Sequence, residues 1–344
     1  MTIGKKDLTS VKRNRGFISY FCTMKGYTDR QANRFTHATK LCAKPFVKWV
    51  GGKGQLIPSI EKMLPQELYT LPNMTYVEPF VGGGAMLFWM LENIPSIKKA
   101  VINDINADLT NAYMTVRDNV YELIAVLKGI QDEYHSLNSE DCRKNYYLGK
   151  RELYNSKSLD NVENTALFIF LNRTCFNGLY RVNSKGSFNV PFGKYTNPTI
   201  CDENTLLADN RLLQKVEILS GDFEQAIHYA STHSFFYLDP PYKPLSQTSS
   251  FNSYAKEDFN DAEQIRLKRF CDKLNDEGCQ WVLSNSDVRA NDPTNNFFDD
   301  LYSPYHINRV WASRSVNSNP EKRGKLSELL INNYKQELKQ VANF

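Results

Sequence analysis

The chain has 344 residues, 41% of them apolar and 23% charged, which supplies a real hydrophobic core and argues against wholesale disorder. At about 150 residues per domain, two domains or one large domain with an insertion are expected. Its seven cysteines (42, 142 and 175 among them) include no Cys-x-x-Cys pair and its five histidines no His-x-x-x-His pair, so neither a disulfide framework nor a metal site is expected.

The net charge of +4 hides an asymmetry. Residues 1–44 carry ten Lys or Arg and two Asp, a local charge of +8, and the other 300 residues sum to −4. Such an arm suits a polyanion, or is a solvated tail. A weak helix–turn–helix pattern lies inside it, with a short amphipathic helix as the plainer reading. The longest run of apolar residues and glycine, Val81 to Leu91, falls short of the roughly 20 residues of a membrane span. The first residues have no apolar stretch suited to a signal peptide. A soluble, cytoplasmic protein is expected.

Past residue 44 the elements come in an α/β order. A helix is expected at 56–63. A strand ending at Glu78–Phe80 runs into Gly82, Gly83 and Gly84, then a helix over 85–91. A second strand, 100–104, ends in Asp104, and a helical period runs over 107–127. Residues 128–212 differ: polar, tyrosine-rich and helical first, then a hairpin of Leu179–Val182 and Ser187–Val190 about a turn at 183–186. Strands resume at 216–222, ending in Asp222, at 235–239, ending in Asp239, at 281–285 and at 329–334. The expected fold is a doubly wound, parallel-type α/β sheet interrupted by an insertion at about 116–212.

Four strands therefore end in glycines or an acid. In open α/β sheets, ligands sit beyond the carboxyl ends of the strands, so these ends converge on one crevice. The glycine turn lacks both the dinucleotide spacing and the P-loop Lys-Ser/Thr. With Asp104 some 20 residues on, placed to accept ribose hydroxyls, it favours a nucleoside-containing cofactor over a plain βα corner. The stronger signal is Asp239-Pro240-Pro241-Tyr242. Two prolines remove two N–H donors and leave their carbonyls to accept. A carboxylate beside such a carbonyl can hold both hydrogens of an exocyclic amine. The tyrosine ring gives a base a face to stack on.

Asp-Pro-Pro-Tyr after an apolar strand, with Phe-x-Gly-x-Gly upstream, resembles the amino-group DNA methyltransferases of the α order. The likeness is closest to the Dam-type adenine-N6 enzymes. Lys44–Lys53 (KPFVKWVGGK) is similar to their N-terminal cofactor motif, and Asn172–Gly193 to their target-recognition hairpin. Residues 244–254 resemble their loop after the tetrad, and 323–330 their C-terminal end. The resemblance covers about 44–335 and implies a Rossmann-like methyltransferase sheet with helices on both faces and an inserted target-recognition domain. It implies a catalytic domain of 44–115 and 213–344, recognition by 116–212, and leaves 1–43 as a basic extension.

The resemblance implies S-adenosyl-L-methionine as cofactor. Trp49 and Lys53 would contact it. Phe80, Gly82 and Gly84 would shape the pocket for its methionine part, Asp104 would hold its ribose and Asp222 its adenine, with Phe223 stacking nearby. Asp239, Pro240 and Tyr242 would be the catalytic set, with Asp239 also lining the cofactor site. Double-stranded DNA would be the partner of a monomer or weak dimer, with no membrane and no metal. The likeness suggests GATC as the target and a restriction-modification setting.

Residues 172–194 hold four cations, Arg173, Arg181, Lys185 and Lys194, and no acid. A two-stranded ribbon fits the major groove, and Arg can bridge guanine O6 and N7. Arg181 is the candidate for guanine, Leu179 for a thymine methyl, and Asn177 and Asn183 for base edges or phosphates. Lys185 and Lys194 read as phosphate contacts. Arg309, Arg314, Lys322, Arg323 and Lys325 form a second basic cluster suited to the backbone. Three other readings stand beside this one: a cytosine-N4 methyltransferase, a catalytically silent DNA-binding protein, and an RNA or protein N-methyltransferase.

Overall fold

The computed structural model of the chain describes residues 42–243, 259–313 and 325–335. The basic arm, the loop after the tetrad, and Arg314, Lys322 and Arg323 lie outside the described residues.

Seven strands form one sheet: β1 (Met74–Glu78), β2 (Ile97–Asp104), β3 (Val216–Ser220), β4 (Ser234–Leu238), β5 (Gln280–Ser286), β6 (His306–Ser313) and β7 (Lys325–Asn332). Their order is β3-β2-β1-β4-β5-β7-β6. Strands β1 to β5 pair in parallel, and β7 is antiparallel to both of its neighbours. The expected parallel sheet is thus mixed at one edge, and β6 went unread in the sequence. β7 lies between β5 and β6 and runs antiparallel to both, a pairing that does not require the long crossover of a parallel strand.

The helices that matter for the site are α1 (Ile57–Met63), α2 (Ala85–Asn93), α3 (Ala107–Asp118), α4 (Val120–His135), α5 (Glu140–Asn155), α6 (Asn161–Thr174), α7 (Glu203–Leu213) and α8 (Asp261–Asp276). The expected single helix over 107–127 is two. Asn119, with φ −133°, breaks it and the chain restarts as α4. Local caps start five of the eight: Asn106, Ser139, Asp160, Asp202 and Asn260 each accept backbone N–H groups of the first turn.

Strand β4 is buried on both sides along its whole length. This is the continuous apolar run of a covered parallel strand rather than an alternating one. Phe236 and Leu238 pack with Val77, Trp281 and Leu283 against Leu267, Phe270 and Leu274 of α8. Residues of opposite parity, Tyr76 and Phe235, stack on each other with centroids 6.5 Å apart. Helix α3 packs on β2 and β3. The order reverses between β1 and β4, so the loops after these two strands diverge and leave a crevice at that switch point.

Asp209 on α7 anchors the start of the described chain. Its Oδ1 accepts the Lys44 N–H at 3.1 Å, while its buried Oδ2 has no hydrogen-bond partner among the described residues. Burial pushes its carboxyl up to about 8 against the Lys44 N–H, with Asp202 and Glu92 adding to the rise. The unfolded chain loses this proton near pH 4, so between about pH 4 and 8 the folded state binds more protons and stability falls as pH rises. Asp209→Asn keeps the acceptor and removes the charge. Its melts should gain on the wild type by on the order of 1–3 kcal/mol at pH 8 and by much less at pH 5. A pH-independent difference would contradict this assignment.

Candidate active site

The crevice begins with the turn after β1. Gly82 and Gly84 have φ of 49° and 76°, a left-handed backbone that favours glycine. Space forbids a side chain too. A Cβ on Gly84 would stand 2.5 Å from the Tyr113 hydroxyl, and one on Gly82 3.0 Å from Trp49 Cδ1. Tyr113, on α3, donates to the Gly82 carbonyl at 2.9 Å. Asp104, at the end of β2, accepts the N–H of Gly82 (3.1 Å) and of Asn106 (2.9 Å). Burial raises its pKa and those backbone N–H groups oppose the rise.

Asn103 was not singled out in the sequence, yet it pins three strand ends together. Its Nδ2 donates to Pro79 O (3.1 Å) and Gly221 O (2.9 Å), and its Oδ1 accepts from Gln225 (2.8 Å). The one available signal was a polar residue inside an apolar strand. Phe80 packs on Phe223 at 5.1 Å and on Phe259 at 5.9 Å, giving an apolar wall. Asp222 is half exposed and carries a bidentate pair with Arg266, at 3.0 and 2.7 Å. That guanidinium holds the Asp222 carboxyl below its ordinary value and lies 4.3 Å over the Phe223 ring.

The tetrad follows β4, next to this turn. Ser284 Oγ donates to Asp239 Oδ1 at 2.7 Å, and Lys53 Nζ lies 3.1 Å from the same oxygen. Burial raises the Asp239 pKa, while Lys53 and Ser284 oppose the rise. The Lys53 ammonium also sits 3.9 Å from the centre of the Tyr242 ring. Tyr242 donates its hydroxyl to Glu328 on β7 at 2.7 Å. Below them Glu78 is fully buried, accepts from Tyr76 at 2.8 Å and is driven well above its ordinary pKa, first by burial and further by nearby Asp239.

The polar end of β5 braces the tetrad residue by residue. Besides Ser284, Asn285 donates to the buried Gln264 of α8 (3.0 Å), which donates to Pro241 O (3.2 Å). Ser286 donates to Lys243 O (2.8 Å). These residues were visible as a polar strand end, but neither Gln264 nor Glu328 was read as part of the site.

Trp49 lies over the glycine turn and stacks on Tyr180, centroids 5.5 Å apart. Tyr180 and Tyr154 both donate to Asp108, at 2.8 and 2.6 Å. Asn172, buried in α6, pairs with both backbone groups of Lys48 (2.7 and 2.8 Å) and donates to Gly178 O (3.0 Å). The 44–53 segment and the start of the hairpin are therefore one unit.

The hairpin itself is looser than expected. Single bridges join Cys175 with Phe192 and Val182 with Phe188, in place of a continuous ladder. Asn177 and Gly178, with φ of 56° and 64°, turn the chain out of α6, and Asn177 is exposed. Leu179 is half-buried. Arg181 is held by Asn189 through Nε (2.7 Å) and Nη2 (3.2 Å). Asn183 Oδ1 accepts the N–H of Lys185 and Ser187, so this side chain closes the turn. Two further cations are engaged within the fold. Arg173 turns inward to Phe46 O (2.7 Å), and Lys194 pairs with Glu140 (2.8 Å). In the second basic cluster Arg309 is held by Asp287 (3.1 Å) and by both oxygens of Asp299 (2.9 and 2.8 Å).

Among the described residues no group of His, Cys, Asp and Glu could hold a metal ion, and no helix is long and apolar enough to cross a membrane.

Curated relatives cover most of the chain. Type II methyltransferase M.MjaIII of Methanocaldococcus jannaschii is 48% identical over 85% of this chain and 99% of its own. Type II methyltransferase M1.LlaDCHI of Lactococcus lactis subsp. cremoris is 39% identical over 86% and 97%. A DNA adenine methylase of Haemophilus influenzae is 34% identical over 85% and 94%. Residues 49–316 match the family described as D12 class N6 adenine-specific DNA methyltransferase, a span that takes in the glycine turn, the hairpin and the tetrad. With a seven-stranded α/β sheet, and with the tetrad and the glycine turn side by side at its switch point, the chain belongs to the D12 class of N6 adenine-specific DNA methyltransferases.

Proposed function

We propose that this enzyme transfers a methyl group from S-adenosyl-L-methionine to N6 of an adenine flipped out of double-stranded DNA, within GATC, as the modifying half of a restriction-modification system. The observation that carries the reading is the largely buried Asp239 carboxylate beside the braced Tyr242 ring, one loop away from Gly82–Gly84 and Asp104. The donor set suits the cofactor: a carboxylate for a ribose at Asp104, an apolar wall at Phe80 and Phe223, and a cation at Lys53 for a carboxylate. Trp49, over the glycine turn, closes that side, and Asp222 stands at the adenine end. Two relatives are named type II methyltransferases, which supports the restriction setting, while others are named DNA adenine methylases.

The cofactor supplies an electrophilic methyl group when bound. Flipping the adenine costs a few kcal/mol. Stacking on Tyr242 returns roughly 1–3 kcal/mol, and Glu328 fixes the plane of that ring. Asp239 and the Pro240 carbonyl accept the two N6 hydrogens, which turns the nitrogen lone pair toward the methyl carbon. As the N6–C bond formed, the methyl–sulfur bond would break with S-adenosylhomocysteine leaving, and Asp239 or water would take the N6 proton thereby made acidic. Asp239 therefore acts by position and acceptance more than by basicity.

Residues 44–115 and 213–344 form the catalytic part and 116–212 the recognition part, with 1–43 as an added DNA-binding arm. Arg181 reads a guanine, Leu179 touches a thymine methyl, and Asn177 and Asn183 contact edges or backbone. The enzyme works in the cytoplasm as a monomer or weak dimer. Arg181→Ala should cost about 10- to 100-fold in discrimination at one base pair, the worth of a bidentate contact. Methylation rates on single-substituted sites check this, since equal weakening on every sequence would make Arg181 a phosphate contact.

The function is tested by labelled-methyl transfer to unmethylated plasmid, with nucleoside mass spectrometry and protection from GATC-cleaving endonuclease. N6-methyladenine with protection supports the whole reading. N6-methyladenine without protection removes GATC, and no label in DNA leaves a silent binding protein.

A further inference from the structure

We propose that Lys53 closes the target-base pocket before the cofactor binds, by occupying the place of the adenine amino group, and that it leaves for the carboxylate of the cofactor. Base entry then follows cofactor binding. This rests on the reading of Asp239 and Tyr242 as the base pocket.

The Lys53 ammonium makes both contacts that the base needs. It is 3.1 Å from Asp239 Oδ1, as an amino hydrogen-bond donor would be, and 3.9 Å over the Tyr242 ring, where a base would stack. Its side chain is 9% exposed, so it is set into the site and does not sample solvent from its rim. A flat purine and this ammonium cannot share one face of one ring. The pair is also stable enough to matter: a cation over an aromatic face with a carboxylate beside it gains from both.

Lys53 is equally built to leave. Gly51 and Gly54 flank it with open space where a Cβ would be, and Gly51 has φ of +85°. The short turn Lys53–Gln55 packs against α2, the helix that follows Gly82–Gly84. A small backbone rotation thus carries the ammonium from the tetrad toward the glycine turn. An anion arriving there is the partner that compensates its departure from Asp239. A ligand shifts such an equilibrium only through its differential affinity for the two positions, and a free carboxylate supplies that difference.

The test uses the full-length protein and a duplex carrying 2-aminopurine at the adenine that the wild type is first found to methylate. This base has no amino group at C6, so its entry reports a clear Tyr242 face and not the charge of Asp239. Without cofactor the wild type should give little rise in emission, and S-adenosylhomocysteine should restore it, tightening the apparent affinity for the flipped base about tenfold or more. Lys53→Met keeps the length and removes the charge, and should give the rise with no cofactor present. Lys53→Arg should keep the cofactor requirement, which separates occupation by charge from a general loosening. A wild type that flips the base equally well without cofactor overturns the proposal, and so does a Lys53→Met protein that still requires it. No rise in any protein, with cofactor bound as measured by calorimetry, overturns the base-pocket reading itself.

Discussion

Asp239→Ala is expected to lower methyl transfer by about 10³-fold or more while the protein still binds S-adenosylhomocysteine, because one acceptor aligned with the reacting group is typically worth 10²–10³ and Asp239 also positions the base. Single-turnover transfer and calorimetry on the same preparation read the two effects separately, and near-normal turnover would remove Asp239 from the mechanism. The pH profile adds a directional test. Asp239 must be ionised to accept, burial raises its pKa, and the Ser284 hydroxyl stabilises the charged form. The rate should therefore fall as pH drops through that raised value. Ser284→Ala withdraws the hydrogen bond, so its acid limb should move to higher pH. An unmoved limb would mean that another group controls it.

Asn172→Ala is expected to destabilise the fold by about 2–4 kcal/mol. It strips partners from the part-buried Lys48 N–H and carbonyl and from the buried Gly178 carbonyl, and a buried group left unsatisfied costs about 1–3 kcal/mol, a part-buried one less. The loss should be specific as well as large. Asn172 joins the segment bearing Trp49 and Lys53 to the turn that starts the hairpin, so cofactor affinity and sequence discrimination should weaken together in whatever fraction stays folded. Urea melts with cofactor titration measure both, and a loss under 1 kcal/mol would mean that water takes over these bonds.

Local chemistry was legible where one residue's type dictates its place. The glycines at 82 and 84 sit in left-handed backbone that favours glycine and leaves no room for a Cβ, and Asp104, Asp222 and Asp239 each close an apolar run that reads as a strand. The polar end of β5 was likewise visible as Ser284 and Asn285 after an apolar stretch, while Ser286 extends it in the structure. The break at Asn119 was not, because the apolar period continues through it and only the backbone angle interrupts the helix. The cations of the hairpin were legible as charges but not as contacts. Arg173 and Arg181 look alike in sequence, yet one turns in to Phe46 and the other is held by Asn189 within the hairpin.

Period, burial and residue type over a few neighbours suffice for the class of fold, for the order of β1 to β5 and β7 along the chain, and for the chemistry at the ends of β1 to β4. Tertiary structure alone decided which distant residues complete the site. β7 enters the sheet in reverse with Glu328 opposite Ser286, which brings that carboxylate to the Tyr242 hydroxyl across 86 positions. Lys53 comes from a turn well before β1 and meets Asp239 after β4. Neither pairing leaves a trace in local pattern, because both depend on strand register and on the switch point between β1 and β4, which are settled only when the whole sheet packs.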